Sequence, residues 1–318
     1  MARFLITGGC GFFGTWIIRR LLDDGDDVLV FDAQRNTARW ALVLSPAEIA
    51  RLPFVAGKIE DTESFIETAR QAAPDALIHL AGLQVPACRE NPVLGARVNV
   101  LGMLNVFEAA RALAGRGAAP RLVYASSAAV FGPDAEYPEA AVGDRSAPRP
   151  ASHYGAFKLC NEQCAKAYWL ACKLPSVGLR PLTVYGPGRD TGMTSFPTRA
   201  IAAALQKQKF DIPFSGPTAY IHVREVADIF VTCARAPAGG AQVYTVGGDI
   251  ADTAAFIAQL DNVIPGARAL ITCSGGELPV ASKLDDAALR RAYPGLLRIP
   301  LAQGIRETAE VFERHLGT

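Results

Sequence analysis

The chain contains 318 residues with a formal net charge of +1, and 50% of its residues are hydrophobic, which is enough for a large buried core. The near-zero charge argues against nucleic acid or an anionic membrane surface as a partner. We see no apolar run approaching the ~20 residues needed to span a bilayer. Seven cysteines, an odd number without a paired framework, predict reduced thiols in a cytoplasmic protein. The four histidines do not cluster with them, so we predict no metal site.

The N-terminal segment predicts a nucleotide-binding turn between a strand and a helix. Residues 3–7 form a short apolar run, and apolar side chains recur at helical spacing over 12–23. Glycines between them let the backbone turn tightly and approach a pyrophosphate, which then rests on the unpaired N–H groups of the helix N-terminus. These glycines are Gly8, Gly11 and Gly14.

The second strand predicts which cofactor is bound. It covers 27–31 and ends at Asp32. A carboxylate at this place accepts hydrogen bonds from the adenosine ribose hydroxyls and repels a 2′-phosphate, which favours NAD over NADP. Arg35 lies close enough in sequence to offset part of that preference.

Strand and helix patterns alternate up to about residue 182, which predicts an α/β fold with a doubly wound parallel sheet of the Rossmann type. The predicted strands lie near 3–7, 27–31, 53–56, 76–80, 121–125 and 177–182, and the main predicted helices are 12–23, 62–73, 91–113 and 152–172. Beyond Tyr185 the pattern loosens into Gly- and Pro-rich turns at 186–197 and 213–218, with helices near 251–261, 284–292 and 301–315.

Ser127, Tyr154 and Lys158 have the pattern of a proton relay for an alcohol. Ser127 follows the strand at 121–125, and Tyr154 and Lys158 share one face of a helix because they are four residues apart. The ammonium should lower the pKa of the phenol from its usual value of about 10, and the serine hydroxyl can hold the substrate oxygen. Combined with a hydride carrier upstream, these residues predict transfer of hydride and one proton.

Taken together, these residues resemble the extended short-chain dehydrogenase/reductase family, in its NAD-dependent epimerase/dehydratase group. The resemblance extends over nearly the whole chain. It also rests on the segments Ile78–Gly82, Leu179–Gly188 and Tyr220–Ala227, and on Asn99 within the helix 91–113. The resemblance implies that the Ala81–Gly82 loop contacts the nicotinamide side of the cofactor and that Asn99 supports the relay.

The resemblance and the glycine turn together give a set of expected site residues. The catalytic residues are Ser127, Tyr154, Lys158 and Asn99. The residues expected to bind NAD are Gly8, Gly11, Phe12, Phe13, Gly14, Asp32, Asn36, Ile59, Leu80, Ala81, Gly82, Asn99, Tyr154, Lys158, Pro181, Leu182 and Val184. The residues expected to bind a small-molecule substrate are Gln84, Ser126, Ser127, His153, Thr183, Arg189, Thr194 and Ser195.

The resemblance also implies a division into domains. We expect an NAD-binding Rossmann domain over 1–182 and a smaller C-terminal lobe, mainly for the substrate, over 183–318. The helix 222–235 is expected to return to the first domain, because the family places its His-Val-x-x-Val-Ala segment there.

Departures from the family's patterns narrow the expected reaction. Dehydratases carry an Asp-Glu pair where this chain has Ala128 and Ala129, and the enzymes that epimerise carbons 3 and 5 carry a cysteine at the Ala128 position. The residues that hold a diphosphate in nucleotide-sugar members are replaced by Thr183 and Ala219. Burying a diphosphate without such partners is costly, so we expect a smaller, sugar-like or hydroxy-acid substrate. Arg189 is either its anion anchor or a solvated loop arginine.

One departure concerns the adenine. The family commonly has an aspartate directly after the glycine that follows the third strand, whereas this chain has Lys58 after Gly57. Ile59 can still pack against the adenine.

Two helices predict a homodimer. Apolar residues occur around most of the circumference of the helices 91–113 and 152–172, so each helix should be buried on more than one side. Burial under loops of the same chain would account for this pattern, and so would a four-helix interface between two subunits, which is how the family usually dimerises.

Three functions stay open at this point. The first is an NAD-dependent dehydrogenase of a small substrate, which we favour. The second is a 4-epimerase of a nucleotide sugar or another carbohydrate. The third is a non-catalytic NAD-binding regulator, which the intact Ser127, Tyr154 and Lys158 make the least favoured.

Overall fold

A single seven-stranded sheet forms the centre of the molecule. The computed structural model describes residues 1–115 and 119–316. The strands are β1 (Arg3–Thr7), β2 (Asp27–Asp32), β3 (Phe54–Ala56), β4 (Ala76–His79), β5 (Arg121–Ala125), β6 (Ser176–Arg180), β7 (Thr183–Tyr185), β8 (Phe210–Ile212), β9 (Pro217–His222), β10 (Ala241–Thr245), β11 (Asp249–Asp252) and β12 (Ile271–Cys273).

The helices lie mostly between these strands. They are α1 (Phe12–Asp23), α2 (Pro46–Arg51), α3 (Thr62–Ala72), α4 (Val85–Glu90), α5 (Pro92–Ala96), α6 (Gly102–Ala114), α7 (His153–Cys172), α8 (Phe196–Leu205), α9 (Val223–Arg235), α10 (Thr253–Val263), α11 (Ala287–Ala292) and α12 (Leu301–Leu316).

The central sheet has the strand order β10-β6-β5-β4-β1-β2-β3, and all of its pairs are parallel. Its order reverses beside β1, so the carboxyl ends of β1 and β4 flank a crevice where ligands bind in such folds. Phe4, Leu5 and Ile6 of β1 are fully buried, because helices cover both faces of a parallel sheet. The predicted doubly wound Rossmann fold is confirmed.

A second hydrophobic cluster lies in the C-terminal half of the chain. It joins residues of α8, α10 and α12 to a three-stranded sheet of order β11-β9-β7. The chain does not stay in this lobe, however. Helix α9 packs on α1, and β10 pairs in parallel with β6 at the edge of the central sheet. The return of 222–235 was expected, whereas β10 was not. The boundary at residue 182 stays a prediction.

The helix expected at 91–113 is interrupted. Helix α5 ends at Ala96, the next five residues form a π-helical turn (Arg97–Leu101), and α6 continues to Ala114. Within this turn, Asn99 Nδ2 donates to the Gly95 carbonyl at 3.0 Å, so a side chain also bonds that backbone acceptor. π-helical turns of this kind occur often at functional sites.

By length and composition, the run Pro92–Ala114 could cross a membrane, with a mean hydropathy of 1.2. The expectation that no apolar run approaches this length is therefore wrong. Half of the run's most apolar window is buried inside the fold. Core helices of soluble proteins can be equally long and apolar, so this run is only weak support for a membrane span.

Candidate active site

The turn after β1, residues 8–14 (the cofactor turn), has a backbone that requires glycine. Gly8 has a φ of +71°, and a Cβ there would lie 2.6 Å from the amide nitrogen of Ala81. A Cβ on Gly14 would lie 2.5 Å from the Cα of Gly9. Gly11 is the N-cap of α1, and no side chain occupies its capping position. The turn therefore leaves backbone N–H groups open at a helix N-terminus, which fits a pyrophosphate.

Asp32 stands beside this turn at the end of β2. Its carboxylate accepts hydrogen bonds from the amides of Cys10 at 2.9 Å and Ala33 at 2.7 Å. Arg35, which could have offset its charge, donates to the Ile49 carbonyl at 2.7 Å and lies over the Phe54 ring. These contacts engage the guanidinium of Arg35, whereas the carboxylate of Asp32 is bonded to the cofactor turn itself.

A buried histidine ties the two halves of the crevice together. His79 Nδ1 lies 2.7 Å from Thr7 Oγ1, and the amides of Leu80 and Ala81 approach the same oxygen at 3.3 and 3.4 Å. The end of β1 and the loop after β4 are thereby held in one geometry. Burial lowers the pKa of His79 to about 3, so the ring is neutral near pH 7.

A cavity of about 290 Å³ opens above this crevice. Its lining includes most of the expected site residues and carries only two charged side chains, Lys158 and Arg189, within the described ranges. The expected residues that line it are Gly8, Gly11, Phe12, Phe13, Gly14, Leu80, Gly82, Gln84, Ser126, Ser127, Tyr154, Lys158, Pro181, Leu182, Val184, Arg189 and Thr194.

Ser127, Tyr154 and Lys158 meet at one wall of the cavity. Ser127 ends the loop after β5, and its Oγ accepts from the Ala129 amide at 3.1 Å. Ser152 caps α7 through Gly155, which places Tyr154 and Lys158 in the first turns of the helix. The Lys158 ammonium is buried and donates to the Ala125 carbonyl at 2.7 Å. The three residues expected to act together therefore lie together.

The pKa of Tyr154 is raised from its usual value, contrary to the expectation that the neighbouring Lys158 would lower it. Burial raises the pKa of Tyr154, while a hydrogen bond with Ser127 and the positive charge of Arg189 lower it to a lesser extent. Burial also lowers the pKa of Lys158 to about 8. The low-dielectric site disfavours the charged form of both residues.

Asn99 lies behind the relay and not on the cavity surface. Its Nδ2 also donates to the Leu83 carbonyl at 3.2 Å and to the sulfur of Cys88 at 3.3 Å. Its Oδ1 is buried without a hydrogen-bond partner. A Cβ on Gly82 would lie 2.7 Å from that oxygen, so the loop after β4 passes directly over it.

A buried ion pair supports the relay from below. Arg180 of β6 donates to both carboxylate oxygens of Glu162 at 2.7 and 2.6 Å. Ser126 Oγ donates to the same carboxylate at 2.5 Å. Ser126 lines the cavity, but its hydroxyl is therefore engaged by Glu162 rather than open to a substrate. Glu162 lies one helical turn beyond Lys158, so the pair joins α7, β5 and β6.

The turn at residues 186–195 (the substrate turn) forms the opposite wall. Arg189 lies over the Phe12 ring, 5.6 Å from its centroid, and its Nη2 donates to Thr194 Oγ1 at 2.9 Å. Its Nε is buried without a partner. The Gln84 side chain faces Gly192, where a Cβ would lie 1.9 Å from its Oε1. Arg189 is therefore the one cation that the substrate turn, all of it described, contributes to the cavity lining.

Three residues expected to bind the substrate do not line the cavity. Thr183 is fully buried, and its hydroxyl lies 2.7 Å from that of Thr218. His153 is exposed and stacks on Phe157. Ser195 is buried at the start of α8. Position in the sequence placed them near the site, but their side chains turn elsewhere.

Five residues expected to bind NAD also lie outside the cavity lining: Asp32, Asn36, Ile59, Ala81 and Asn99. Asn36 is exposed, and its side chain accepts from the Ala38 amide at 3.0 Å. Ile59 is buried against α6, where a Cβ on Gly102 would lie 2.8 Å from its Cγ2. Their contacts with the cofactor stay predictions.

Sequence reasoning missed part of the cavity. The missed lining residues are Leu83, Val85, Ala125, Ala129, Ala151, Ser152, Met193, Leu278, Pro279 and Val280. Leu278–Val280 lie in an irregular loop far along the chain, and no local pattern signals them. Ser152 could have been found as the N-cap serine of the relay helix.

Comparison with known proteins agrees with this geometry. The model of the NAD dependent epimerase/dehydratase family matches residues 4–247. The chain is 30% identical over 321 residues to a UDP-glucose 4-epimerase of Mycolicibacterium smegmatis, covering 98% of each chain.

Solved structures have the same fold. UDP-glucose 4-epimerase of Thermus thermophilus in complex with NAD is similar with a TM-score of 0.82 and 26% identity, covering 98% of this chain and 99% of that one. L-Threonine dehydrogenase of Clostridium difficile is similar with a TM-score of 0.85 over 99% and 98% of the two chains, and its 18% identity shows the fold alone.

Proposed function

Because the chain belongs to the NAD-dependent epimerase/dehydratase family of extended short-chain dehydrogenases/reductases, we propose that it oxidises a secondary alcohol of a small, sugar-like or hydroxy-acid substrate. It is an NAD-dependent oxidoreductase, and the cofactor supplies the hydride acceptor. The protein's own task is to hold the alcohol and remove its proton. We assign the proton transfer to Tyr154, the placement of the oxygen to Ser127, and the placement of cofactor and phenol to Lys158.

One observation carries this proposal: the relay and the cofactor turn line the same cavity. Ser127, Tyr154 and Lys158 face Gly8, Gly11 and Phe12 across a space of about 290 Å³. An alcohol held between Ser127 and Tyr154 would give its proton to the Tyr154 oxygen, which accepts it as the phenolate, while the bound cofactor would take the hydride from the alcohol carbon. General-base steps of this kind contribute roughly 10²–10⁴-fold to the rate.

The substrate class follows from the charges on the cavity wall. Arg189 and Thr194 are the polar groups of the substrate turn that reach the cavity. A single guanidinium in the cavity wall fits one carboxylate or a few hydroxyls. Among the described residues, the cavity lining carries no cation besides Lys158 and Arg189, which supports a substrate without a diphosphate.

The experiment follows the cofactor balance. Purified enzyme is incubated with excess NAD and a panel of aldonates, other hydroxy acids, free sugars and nucleotide sugars. Absorbance at 340 nm reports NADH, and chromatography reports the substrates. Accumulation of NADH with a hydroxy acid or a free sugar supports the proposal. No reaction with any member of the panel, combined with tight NAD binding, would favour the non-catalytic regulator.

A nucleotide-sugar 4-epimerase is the second candidate. It is favoured by the relatives, since the full-length match is to a protein named UDP-glucose 4-epimerase. An epimerase would convert a nucleotide sugar without net formation of NADH. Thermal-shift measurements with UDP, GDP and dTDP in the presence of NAD distinguish the two, because micromolar binding of a nucleotide would contradict the small-substrate proposal.

We also propose a homodimer through α5–α6 and α7, in a cytoplasmic location. Of the seven large hydrophobic side chains exposed in the described residues, four lie on these segments: Val93, Leu94, Leu101 and Leu170. A four-helix interface would cover them. All seven cysteines are free thiols, which supports a reducing compartment.

Sedimentation velocity tests the dimer. Leu170→Asp should yield monomers, whereas Ile250→Asp, which changes an exposed apolar side chain on β11, should leave the dimer intact. A wild-type monomer at micromolar concentration, or a dimer unaffected by Leu170→Asp, would contradict the proposed interface.

A further inference from the structure

Arg39 connects the two turns that border the cavity. It lies after β2, outside the cavity lining. Its Nε donates to the Gly188 carbonyl at 3.0 Å, and its Nη2 forms an ion pair with Asp190 at 2.6 Å. Its Nη1 approaches the Cys10 carbonyl at 3.5 Å. One guanidinium thus reaches the substrate turn on both sides of Arg189 and the cofactor turn at Cys10.

The substrate turn depends on such outside contacts. Gly186, Gly188 and Gly192 have φ values of +135°, +94° and +91°, in a region that glycine visits freely but that ordinary residues rarely adopt. Within the turn, the Arg189 amide donates to the Gly186 carbonyl at 3.1 Å and the Ser195 amide to the Gly192 carbonyl at 3.1 Å.

Further contacts come from the cofactor side of the molecule. Trp16 of α1 donates from Nε1 to the Pro187 carbonyl at 2.9 Å. Phe12, the first residue of α1, carries the guanidinium of Arg189 on its ring. The substrate turn is therefore packed on the first turns of α1 and fixed there by Arg39.

We propose that Arg39 is a positioning residue that couples the two turns, so that NAD bound at the cofactor turn orders the substrate turn and places Arg189. A ligand on the cofactor turn restricts the backbone at Cys10 and Phe12. The contacts of Arg39 with Gly188 and Asp190 carry that restriction to the residues beside Arg189. A segment already ordered by the first ligand costs less to order for the second, and the same coupling raises NAD affinity when the substrate is bound.

The inference rests on the proposed function in one respect, the role of Arg189 as a substrate anchor. The coupling itself can be measured without a substrate. Hydrogen–deuterium exchange of the amides in 186–195 is followed by mass spectrometry with and without saturating NAD. We expect NAD to slow exchange of this segment at least about fivefold in the wild type, at the lower end of typical coupling factors. In Arg39→Ala the factor should fall below about twofold.

Two variants separate geometry from charge. Arg35→Ala removes a neighbouring exposed arginine whose contacts are Ile49 and Phe54, and it should keep the wild-type protection. Arg39→Lys keeps the charge but cannot make both bonds to Gly188 and Asp190, so its protection should stay well below that of the wild type. Full protection in Arg39→Lys would assign the effect to charge alone and overturn the proposal.

The remaining outcomes are also decisive. NAD affinity of each variant is measured by calorimetry, and thermal unfolding checks the fold. Loss of NAD binding in Arg39→Ala would make Arg39 a cofactor ligand and overturn the proposal. Unchanged protection in Arg39→Ala, or no protection by NAD in the wild type, would overturn it as well. The substrate panel tests the proposed function separately, so a failure there leaves this result intact.

Discussion

The ammonium of Lys158 lies over the ring of Tyr154, 5.6 Å from its centroid, and donates its hydrogen bond to the Ala125 carbonyl at 2.7 Å. The lysine is thus fixed to the end of β5, the strand that leads to Ser127. Its position is set by the sheet. Burial raises the pKa of the phenol, and the hydrogen bond with Ser127 and the charge of Arg189 lower it to a lesser extent. The placement of Lys158 therefore comes from β5, whereas burial has the largest effect on the pKa of Tyr154.

Tyr154→Phe should lower turnover by roughly 10²–10⁴-fold, because the proposed proton acceptor is lost while the ring is kept. NAD affinity should stay within a few-fold of the wild type, since the cofactor turn is unchanged. The measurement is the rate of NADH formation with an identified substrate, together with calorimetric titration of NAD.

Tyr168→Phe is the matched control. Tyr168 lies on the same helix, donates to Glu108 and stacks on Phe107 away from the cavity. It should retain turnover. If Tyr154→Phe kept near-full activity, another base would have to be sought.

Asp32→Ala should reduce the preference for NAD over NADP, which we expect to be at least tenfold in the wild type, or about 1.4 kcal/mol. The carboxylate beside the turn repels a 2′-phosphate. Titration of both cofactors measures the ratio. Asp27→Asn, at the exposed start of β2, should leave the ratio unchanged, and equal wild-type affinities would refute the assignment.

Because His79 is buried in its neutral form, the free energy of unfolding should decrease in acid. Its pKa in the folded protein is lowered to about 3 from 6.5, so below pH 6.5 the unfolded chain binds a proton that the folded chain does not. The stability that the neutral His79 supports is fully present above about pH 6.5, and the free energy of unfolding decreases as the pH falls from 6.5 towards 3. At pH 5 the decline amounts to about 2 kcal/mol.

Urea unfolding at pH 7.5 and pH 5 measures this effect. The wild type should lose more stability between the two pH values than His79→Asn does, by about 2 kcal/mol. Asn cannot be protonated in this range, and its amide can replace Nδ1 opposite Thr7. An equal loss in both proteins would mean that His79 does not contribute.

Glu162→Ala should destabilise the fold by roughly 3–5 kcal/mol, because it leaves Arg180 buried without its partner. Both side chains are almost fully buried, with exposures of 2% and 6%. Urea unfolding at pH 7.5 measures the change. Arg111→Ala, which breaks an exposed pair with Glu108, should have little effect, and a similarly small effect of Glu162→Ala would contradict this account.

The sequence predicted the features that depend on local pattern. The helical spacing of apolar residues was sufficient to predict α1, where Asp24 follows the last helical residue. The relay was predictable because Tyr154 and Lys158 are one helical turn apart. Features that depend on distant contacts were not predictable. The pairing of β10 with β6 joins segments about 65 residues apart. The π-helical turn at Asn99 is local, but no residue pattern signals the hydrogen bond from the Asn99 side chain to the Gly95 carbonyl.

At two residues, burial of the side chain led to an outcome different from the one that their positions in the sequence predicted. Thr183 begins β7, three residues after β6 ends, and its hydroxyl is paired with that of Thr218 on the neighbouring strand β9 instead of facing the cavity. The phenol of Tyr154 lies beside a lysine, yet desolvation outweighs its neighbours. Neither outcome can be derived from residue types, because each depends on what surrounds the side chain in three dimensions.

The position of β10 has a consequence for how this enzyme could acquire a new specificity. The chain leaves the central sheet after β6, builds part of the C-terminal lobe, returns for α9 and β10, and leaves again. A fragment cut after residue 182 would lack β10, exposing the hydrogen-bonding edge of β6, and would lack α9, uncovering α1. Exchange of everything after residue 182 would therefore remove part of the central sheet together with the lobe. Substitutions in the loops that border the cavity, at 186–195 and 278–280, leave the central sheet intact, so we expect a new specificity to arise there.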